Sequence, residues 1–255
     1  MRSGKNRPVT SDLSLDEALV LHSIGWEPVE LVCGAGVFSI PSFSWQWASG
    51  EIGGASYAWH SAFDAAVERI GTECGRVDAQ GVVGVRVDVS IHRHAVHVVL
   101  VGTAVAPSAG GRPGRPFVSD LSGRDFALLQ NAGWETCGLA HGAAFVYAPR
   151  RTAGDTLSQS MQNVELTAFT NALYAARESA MERFQTSALR MGATGVVAVR
   201  MNEGPMNFAH HAIGFTIYGT AVRPGPSGHR RQEPMVAVSL NDPVNLFKTA
   251  SLRGA

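Results

Sequence analysis

The chain has 255 residues, of which 45% are hydrophobic and 16% are charged, a composition that fits one or two globular domains and argues against an intrinsically disordered protein. Its 21 basic and 21 acidic residues balance, so no global charge attracts nucleic acid or an anionic membrane, and we expect no nucleic-acid partner. The three cysteines form no CxxC pair and no signal peptide or transmembrane stretch is evident, which predicts a cytoplasmic protein in a reducing compartment.

The most informative feature of the sequence is an internal repeat. Ser11-Asp12-Leu13-Ser14 recurs at residues 119–122, and Gly25-Trp26-Glu27 recurs at 133–135, both at an offset of 108 positions. Later blocks recur at offsets of 114 and 117, and these include Glu68-Arg69 with Glu182-Arg183, Val85-Arg86 with Val199-Arg200, and residues 102–105 with 219–222. Because the offset grows only between blocks, as loop insertions would make it grow, the sequence is a tandem duplication.

Each copy begins with a short helix. Ser14 with Glu17 has the spacing of a capping box, and Ser122 with Asp125 is a weaker version of the same signal. A glycine at 25 or 133 then ends the helix. Strands are predicted next, over residues 29–38 and 137–147.

A main helix follows in each copy. In the second copy, apolar residues recur every three or four positions from Leu166 to Met191, which predicts one long helix that ends at Gly192. The first copy predicts a shorter and more irregular helix over residues 57–74.

Two β-rich segments close each copy, and they are near enough in sequence to pair as a hairpin. They span residues 82–91 and 96–105 in the first copy and residues 196–201 and 213–222 in the second. The predicted fold class is therefore α+β: two repeated (α)β-α-β-β modules, each a helix packed on a small antiparallel or mixed sheet. Such a module leaves strand edges unpaired and one sheet face open, so we expect the protein to form a homo-oligomer.

The composition along the chain predicts the domain boundaries. A disordered N-terminus would span 1–10, the modules 11–106 and 119–223, a Gly/Pro-rich linker 107–118, and a flexible tail 224–255. Within the tail, residues 235–240 could form a strand, and residues 241–248 could dock into a protein partner.

The order and spacing of these blocks resemble those of the YbjQ-like domain. The residues that carry the resemblance are Ala172 to Glu178, Met191 to Arg200 and Gly219 to Val222, with weaker counterparts in the first module. The family is labelled heavy-metal-binding, and the resemblance implies β-α-β-β domains that assemble into pentameric rings. It implies no established enzymatic activity. The chain departs from single-domain members in its two copies and in the short helix before each first strand.

Candidate metal ligands recur at matching places in the two modules. His94 corresponds to His211 near each hairpin turn, and Cys33 corresponds to His141 on each first strand. Thiolate and imidazole are both ligands for divalent or heavy-metal ions. The alternative interpretation is that the histidines are ordinary turn residues and that Cys33 is a small apolar residue.

Arg86 and Arg200, each on a Val-rich strand, could hold a small anion or make a contact between subunits. The aromatic segment 43–47 could anchor the protein at a partner or membrane, or could fill the core of a ring. No GxSxG, P-loop or GxGxxG motif is present.

Taken together, the sequence predicts a non-enzymatic, homo-oligomeric binding or scaffold protein that holds a metal ion or small anion between subunits. Two alternatives are an adaptor ring whose C-terminal tail docks to a larger assembly, and an enzyme with its site at the module junctions.

Overall fold

A computed structural model describes residues 9–41, 50–92, 94–110, 114–147, 167–205 and 212–226. The predicted tail contacts, the aromatic segment 43–47 and His211 lie outside these residues. The elements in chain order are α1 (Leu15–Ser23), β1 (Trp26–Ser39), β2 (Gly50–Glu51), α2 (Gly53–Arg76), β3 (Gly81–His92), β4 (Ala95–Pro107), β5 (Phe117–Val118), α3 (Gly123–Asn131), β6 (Trp134–Tyr147), α4 (Thr167–Arg190), β7 (Gly195–Pro205) and β8 (Ala212–Pro224).

The elements form two four-stranded sheets. Sheet A has the order β1-β4-β3-β5 and sheet B the order β2-β6-β8-β7. The two short strands cross between the modules: β2 comes from the first module and pairs with β6, whereas β5 precedes the second module and pairs in parallel with β3. The fold is therefore α+β, with a mixed sheet A and an antiparallel sheet B, and each sheet gains one short strand from outside its own module.

The duplication extends to individual contacts. Gly34 and Gly142 correspond, and a Cβ added at either would lie 2.2 Å from a backbone oxygen of the main helix, so only glycine lets helix and strand approach this closely. Arg69 donates a hydrogen bond to the carbonyl oxygen of Ala35, and Arg183 does the same to Ala143. Repeat-equivalent arginines thus hold each main helix on the first strand of its own module.

The helices and sheets stack in alternating layers. Residues of β6 point by turns to opposite faces of sheet B. Ala140, Ala144 and Val146 pack in the cluster that contains α4, whereas Leu139, Ala143 and Phe145 pack in the cluster that contains α2. The order of layers is sheet A, α2, sheet B, α4, with α2 buried between two sheets.

Several expectations are met and two are wrong. The capping box at Ser14 is present, and the side chain of Ser122 accepts a hydrogen bond from the Asp125 N–H. The first main helix is longer than the expected 57–74, since α2 has 24 residues, as many as the described part of α4. The apolar periodicity of the α2 sequence is irregular because Gly53, Gly54, Gly71 and Gly75 interrupt it. Packing on two sheets stabilises the helix nevertheless. Nor is every sheet edge open, because β5 pairs with the start of β3, and β2 pairs with the last two residues of β6. No helix in the described part of the chain is long and apolar enough to cross a membrane.

Candidate functional site

The junction between α2 and sheet B, which we call the module joint, has a buried histidine at its centre. His141 is 7% exposed, and its Nε2 lies 2.9 Å from Oδ1 of Asp64 on α2. The ring of Phe63 stacks on the imidazole with 4.3 Å between centroids. The His141 backbone N–H donates to Oγ of Ser187 on α4. His141 is therefore held by the helices on both faces of its sheet.

A second histidine completes the polar part of the joint. Nε2 of His60 lies 3.2 Å from the carbonyl oxygen of Ala143 and 3.3 Å from its backbone nitrogen. Burial lowers the pKa of His60 to about 4, and repulsion from His141 acts in the same direction. His60 is consequently neutral at pH 7. The hydrogen bond from His141 holds the pKa of Asp64 below its ordinary value, although burial opposes this.

An ion pair ties β2 to the joint. Arg183 donates to Oε1 of Glu51 over 2.5 Å and to Oε2 over 2.8 Å, which is the bidentate geometry typical of arginine with a carboxylate. Burial acts to raise the pKa of Glu51, but the hydrogen bonds from Arg183 and Ser56 outweigh it and keep this pKa below its usual value. The pair connects α4 of the second module with a strand from the first.

These polar groups line an open cleft of about 400 Å³. Its lining comprises His60, Asp64, His141, Glu182, Arg183, Thr186, Ser187 and Arg190. Beside it, two buried polar atoms have no hydrogen-bond partner among the described residues: Nδ1 of His141 and the indole Nε1 of Trp59. The mixture of acid, base and imidazole groups suits a small polar ligand.

The two candidate anion-binding arginines lie at a second cavity, of about 460 Å³, between the modules. Arg86 pairs with Asp12 at 3.1 Å and Arg200 with Asp120 at 3.6 Å. Both partners belong to the same chain. Burial raises the pKa of Asp120, while a hydrogen bond from Thr220 opposes that shift. Because each guanidinium already faces a carboxylate, an anion would have to compete with it.

The predicted metal ligands lie apart from one another. Cys33 is exposed on the outer face of sheet A, and His94 is exposed in the turn between β3 and β4. The β1–β4 pairing sets Cys33 opposite Val101 and Ser39 opposite Ala95, so Cys33 and His94 are about 20 Å apart along the sheet. His141 lies in the module joint. Across the described ranges, no group of three His, Cys, Asp or Glu side chains could hold a metal ion.

Sequence reasoning missed His60, Asp64, Ser187 and Glu51. The signal that could have found them is a difference between the copies rather than a match. His60 corresponds to Tyr174 and Asp64 to Glu178, just as Cys33 corresponds to His141. The copies differ at these positions because α2 packs on the sheets of both modules, whereas the α4 cluster in the described residues contains side chains of the second module only.

Comparison with known proteins identifies the modules. The family model described as YbjQ, "Putative heavy-metal-binding", matches residues 42–108 and 137–224. The chain belongs to the YbjQ family. It is 36% identical over 235 residues to an encapsulin nanocompartment protein of Mycobacterium tuberculosis, covering 89% of this chain and 90% of that protein. It is 33% identical over 84 residues to a UPF0145 protein of Acinetobacter baylyi, covering 32% of this chain and 76% of that protein. Tandem YbjQ modules therefore characterise this chain, and the second relative aligns with a single-module length of it.

Proposed function

We propose that this protein is a non-enzymatic scaffold in which copies of the chain join head to tail. The observation that supports the proposal is the asymmetry of the module joint. The first module contributes the outer side of α2, and the second contributes a face of sheet B. The joint therefore leaves two unused surfaces: the outer side of α4 and the outer face of sheet A. Since these are the repeat counterparts of the surfaces that already fit together, α4 of one copy would pack on sheet A of the next.

The exposure of apolar side chains supports this pairing. Leu31 and Val37 on sheet A are 41% and 56% exposed, whereas their counterparts Leu139 and Phe145 are 2% and 0% exposed in the joint. On α4, Tyr174 is 55% exposed. Burying such side chains contributes roughly 1.5–3 kcal/mol each, so several of them provide a substantial driving force for association.

A head-to-tail contact uses two different surfaces, so it closes into a ring if the rotation allows and otherwise propagates. The family resemblance implies five subunits, and five of these chains would place ten modules in the ring. The name of the mycobacterial relative supports a role of such assemblies in a nanocompartment. A cytoplasmic location is consistent with the lack of a membrane-spanning helix among the described residues.

The proposed assembly would also complete the predicted ligand sites. Cys33 lies on the surface that the next copy covers, and Glu178 and Tyr174 correspond to Asp64 and His60 of the module joint. A metal ion or small anion between subunits would use residues from two copies. Elemental analysis of protein purified without a His tag tests this: about one metal per chain supports a site, and well under one metal per several chains contradicts it.

The assembly itself is tested by Leu31→Glu with Val37→Glu, compared with Leu189→Glu. All three positions are exposed, but the counterpart of Leu189 is Gly75, which stays exposed and lies outside the module joint. We expect the sheet A variant to be a folded single chain in native mass spectrometry and the Leu189 variant to assemble like the wild type. Equal assembly of both variants would contradict the proposal.

The second candidate is an adaptor ring whose tail docks to a larger assembly, which the relative's name also favours. Deletion of residues 224–255 separates the two. If the protein is an adaptor, the truncated chain forms the same oligomer but no longer binds its partner. If it is a self-contained scaffold, the deletion changes neither the oligomer nor partner binding.

A further inference from the structure

The edge of β7 differs from the corresponding edge of β3 in one respect: β3 has a partner there. In sheet A, β5 and the residues after it run parallel to β3. Phe117 N–H donates to Gln80 O at 3.2 Å and Ser119 N–H to Val82 O at 2.9 Å. In return, Gly84 N–H donates to Leu121 O at 2.7 Å and Val85 N–H to Ser119 O at 3.0 Å. Four backbone bonds thus cover this edge.

In sheet B, β7 is the last strand, and within the described residues no strand pairs with its outer edge. The side chains reflect this. Val82, Val83 and Val85 are at most 4% exposed, whereas the β7 counterpart of Val85, Val199, is 41% exposed. A Cβ at Gly81 would collide with the ring of Phe117 at 2.1 Å, but a Cβ at the corresponding Gly195 would meet only Val222, at 3.8 Å.

A backbone irregularity points to what is missing. The register of β3 on β4 shifts between Val83 and Arg86, and that of β7 on β8 shifts between Val197 and Arg200. The shift in β3 has Gly84 at φ +64°, and its N–H bonds the added strand. The shift in β7 has Ala198 at φ +53°, a conformation that an alanine rarely adopts. β7 therefore keeps the strand-accepting geometry although its backbone strain is not offset by a partner in the described chain.

The donor segment also exists in a second copy. Residues 9–13 are the repeat counterparts of residues 117–121. Ser11 Oγ lies 3.2 Å from Thr103 Oγ1, and Asp12 N–H donates to the same oxygen, as Ser119 and Asp120 do with Thr220. The segment is thus anchored to its own module in the same way as its counterpart, yet Val9, the counterpart of Phe117, is 61% exposed.

We infer that residues 9–13 of one copy add as a short parallel strand to the edge of β7 in the preceding copy, the one whose α4 packs on sheet A of the first. The bonds that complete the pairing are Val9 N–H to Thr194 O, Ser11 N–H to Val196 O, Ala198 N–H to Leu13 O and Val199 N–H to Ser11 O. Val9 would cover the open space at Gly195. This inference rests on the proposed head-to-tail scaffold and adds a second contact to it. Within one chain, the two modules are joined both by strand addition, β5 on β3, and by the packing of α2 on sheet B.

The test mixes two full-length chains, each with Cys33→Ser, one carrying Val9→Cys and the other Gly195→Cys. Each chain has one engineered thiol, so a disulfide between positions 9 and 195 can form only between copies. Both substitutions are tolerated in the single chain, because Val9 is exposed and Gly195 has ordinary contact distance for a Cβ. The control replaces Gly195→Cys by Leu189→Cys, which is 70% exposed and outside the joint.

After mild oxidation of the mixture, we expect a mixed disulfide dimer with the Gly195 variant and none with the Leu189 variant. Native mass spectrometry of the wild type is run in parallel. An oligomer without the 9–195 disulfide would overturn the strand addition and leave the scaffold standing, whereas a single chain would overturn both. A 9–195 disulfide that forms only after deletion of residues 227–255 would show that the chain's own tail occupies the edge of β7, which also overturns the inference.

Discussion

Cys33 and His141 occupy corresponding positions on the first strands of the two sheets, but the thiol is exposed on the outer face of sheet A and the imidazole is 7% exposed in the module joint. The same strand position is thus covered by a helix in one module and uncovered in the other. This difference within one chain is the basis for the proposed assembly.

Reactivity of the thiols reports on that difference. Burial raises the pKa of Cys74 to about 11 and also raises the pKa of Cys137, so both react slowly. We expect Cys33 to react first in dilute protein and to be protected at concentrations where copies associate. Maleimide labelling followed by peptide mapping measures this, and labelling of Cys33 that is independent of assembly would contradict a covered sheet A face.

The ion pair between Arg183 and Glu51 should contribute to stability, whereas a matched exposed pair should not. Arg183 is 35% exposed and bonds both carboxylate oxygens and the Ala143 carbonyl. We expect Arg183→Ala to lower the free energy of unfolding by about 1–3 kcal/mol. Arg223 pairs with Glu135 at 52% exposure, and we expect Arg223→Ala to cost less than about 1 kcal/mol. Urea unfolding of both variants gives the comparison, and equal losses would show that the joint pair has no special role.

Acidification should weaken the module joint through His60. Its pKa is about 4 in the folded chain and 6.5 when free, so the unfolded chain binds more protons between these values and stability falls as the pH drops from 6.5 to 4. His141 and Arg183 face His60 and disfavour its protonation, while Asp64 favours it. Since His60 is only part-buried, the loss is on the order of 1–3 kcal/mol.

The matched variant for this effect is His60→Gln, which keeps a polar side chain and does not titrate. Carboxylates with lowered pKa, such as Glu51 and Asp64, lose their contribution at still lower pH. The difference between wild type and variant from pH 6.5 to 4.5 therefore isolates the histidine. Parallel stability curves over that range would rule out His60 as the source.

The repeat allowed most of the fold to be predicted, because the positions of helices, strands and stop glycines recur and confirm one another. Gly25 and Gly133 end α1 and α3 at φ +77° and +79° as expected. The crossing of β2 and β5 between sheets could not be predicted, because two-residue strands have no periodicity and their pairing is set by the contact between modules. The length of α2 was missed for a related reason: its glycines lower intrinsic helix propensity, and burial on two sides overrides it.

The candidate site was less predictable than the fold. The sequence predicts His141 as a metal ligand from its side-chain chemistry, yet its neighbours are Asp64, Phe63 and Ser187, which come from helices far away in sequence. Because His141 matches Cys33 of the other copy, the two residues have the same position within their modules. Their surroundings differ, because a different part of the chain packs against each module. Arg86 and Arg200 pair with carboxylates of their own chain, Asp12 and Asp120, which lie in the short segments that carry the Ser-Asp motif. Their predicted role in holding an anion or contacting a subunit stays a prediction.

The most direct test of the head-to-tail account is cross-linking of native Cys33 to Glu178→Cys with a short bis-maleimide. The counterparts His141 and Asp64 touch across the module joint at 2.9 Å. Asn171→Cys is the control, because its counterpart Tyr57 remains 72% exposed there. Head-to-tail assembly predicts a ladder of covalent dimers, trimers and higher species for Glu178→Cys and none for Asn171→Cys. Monomers alone, or dimers without higher species, would contradict it.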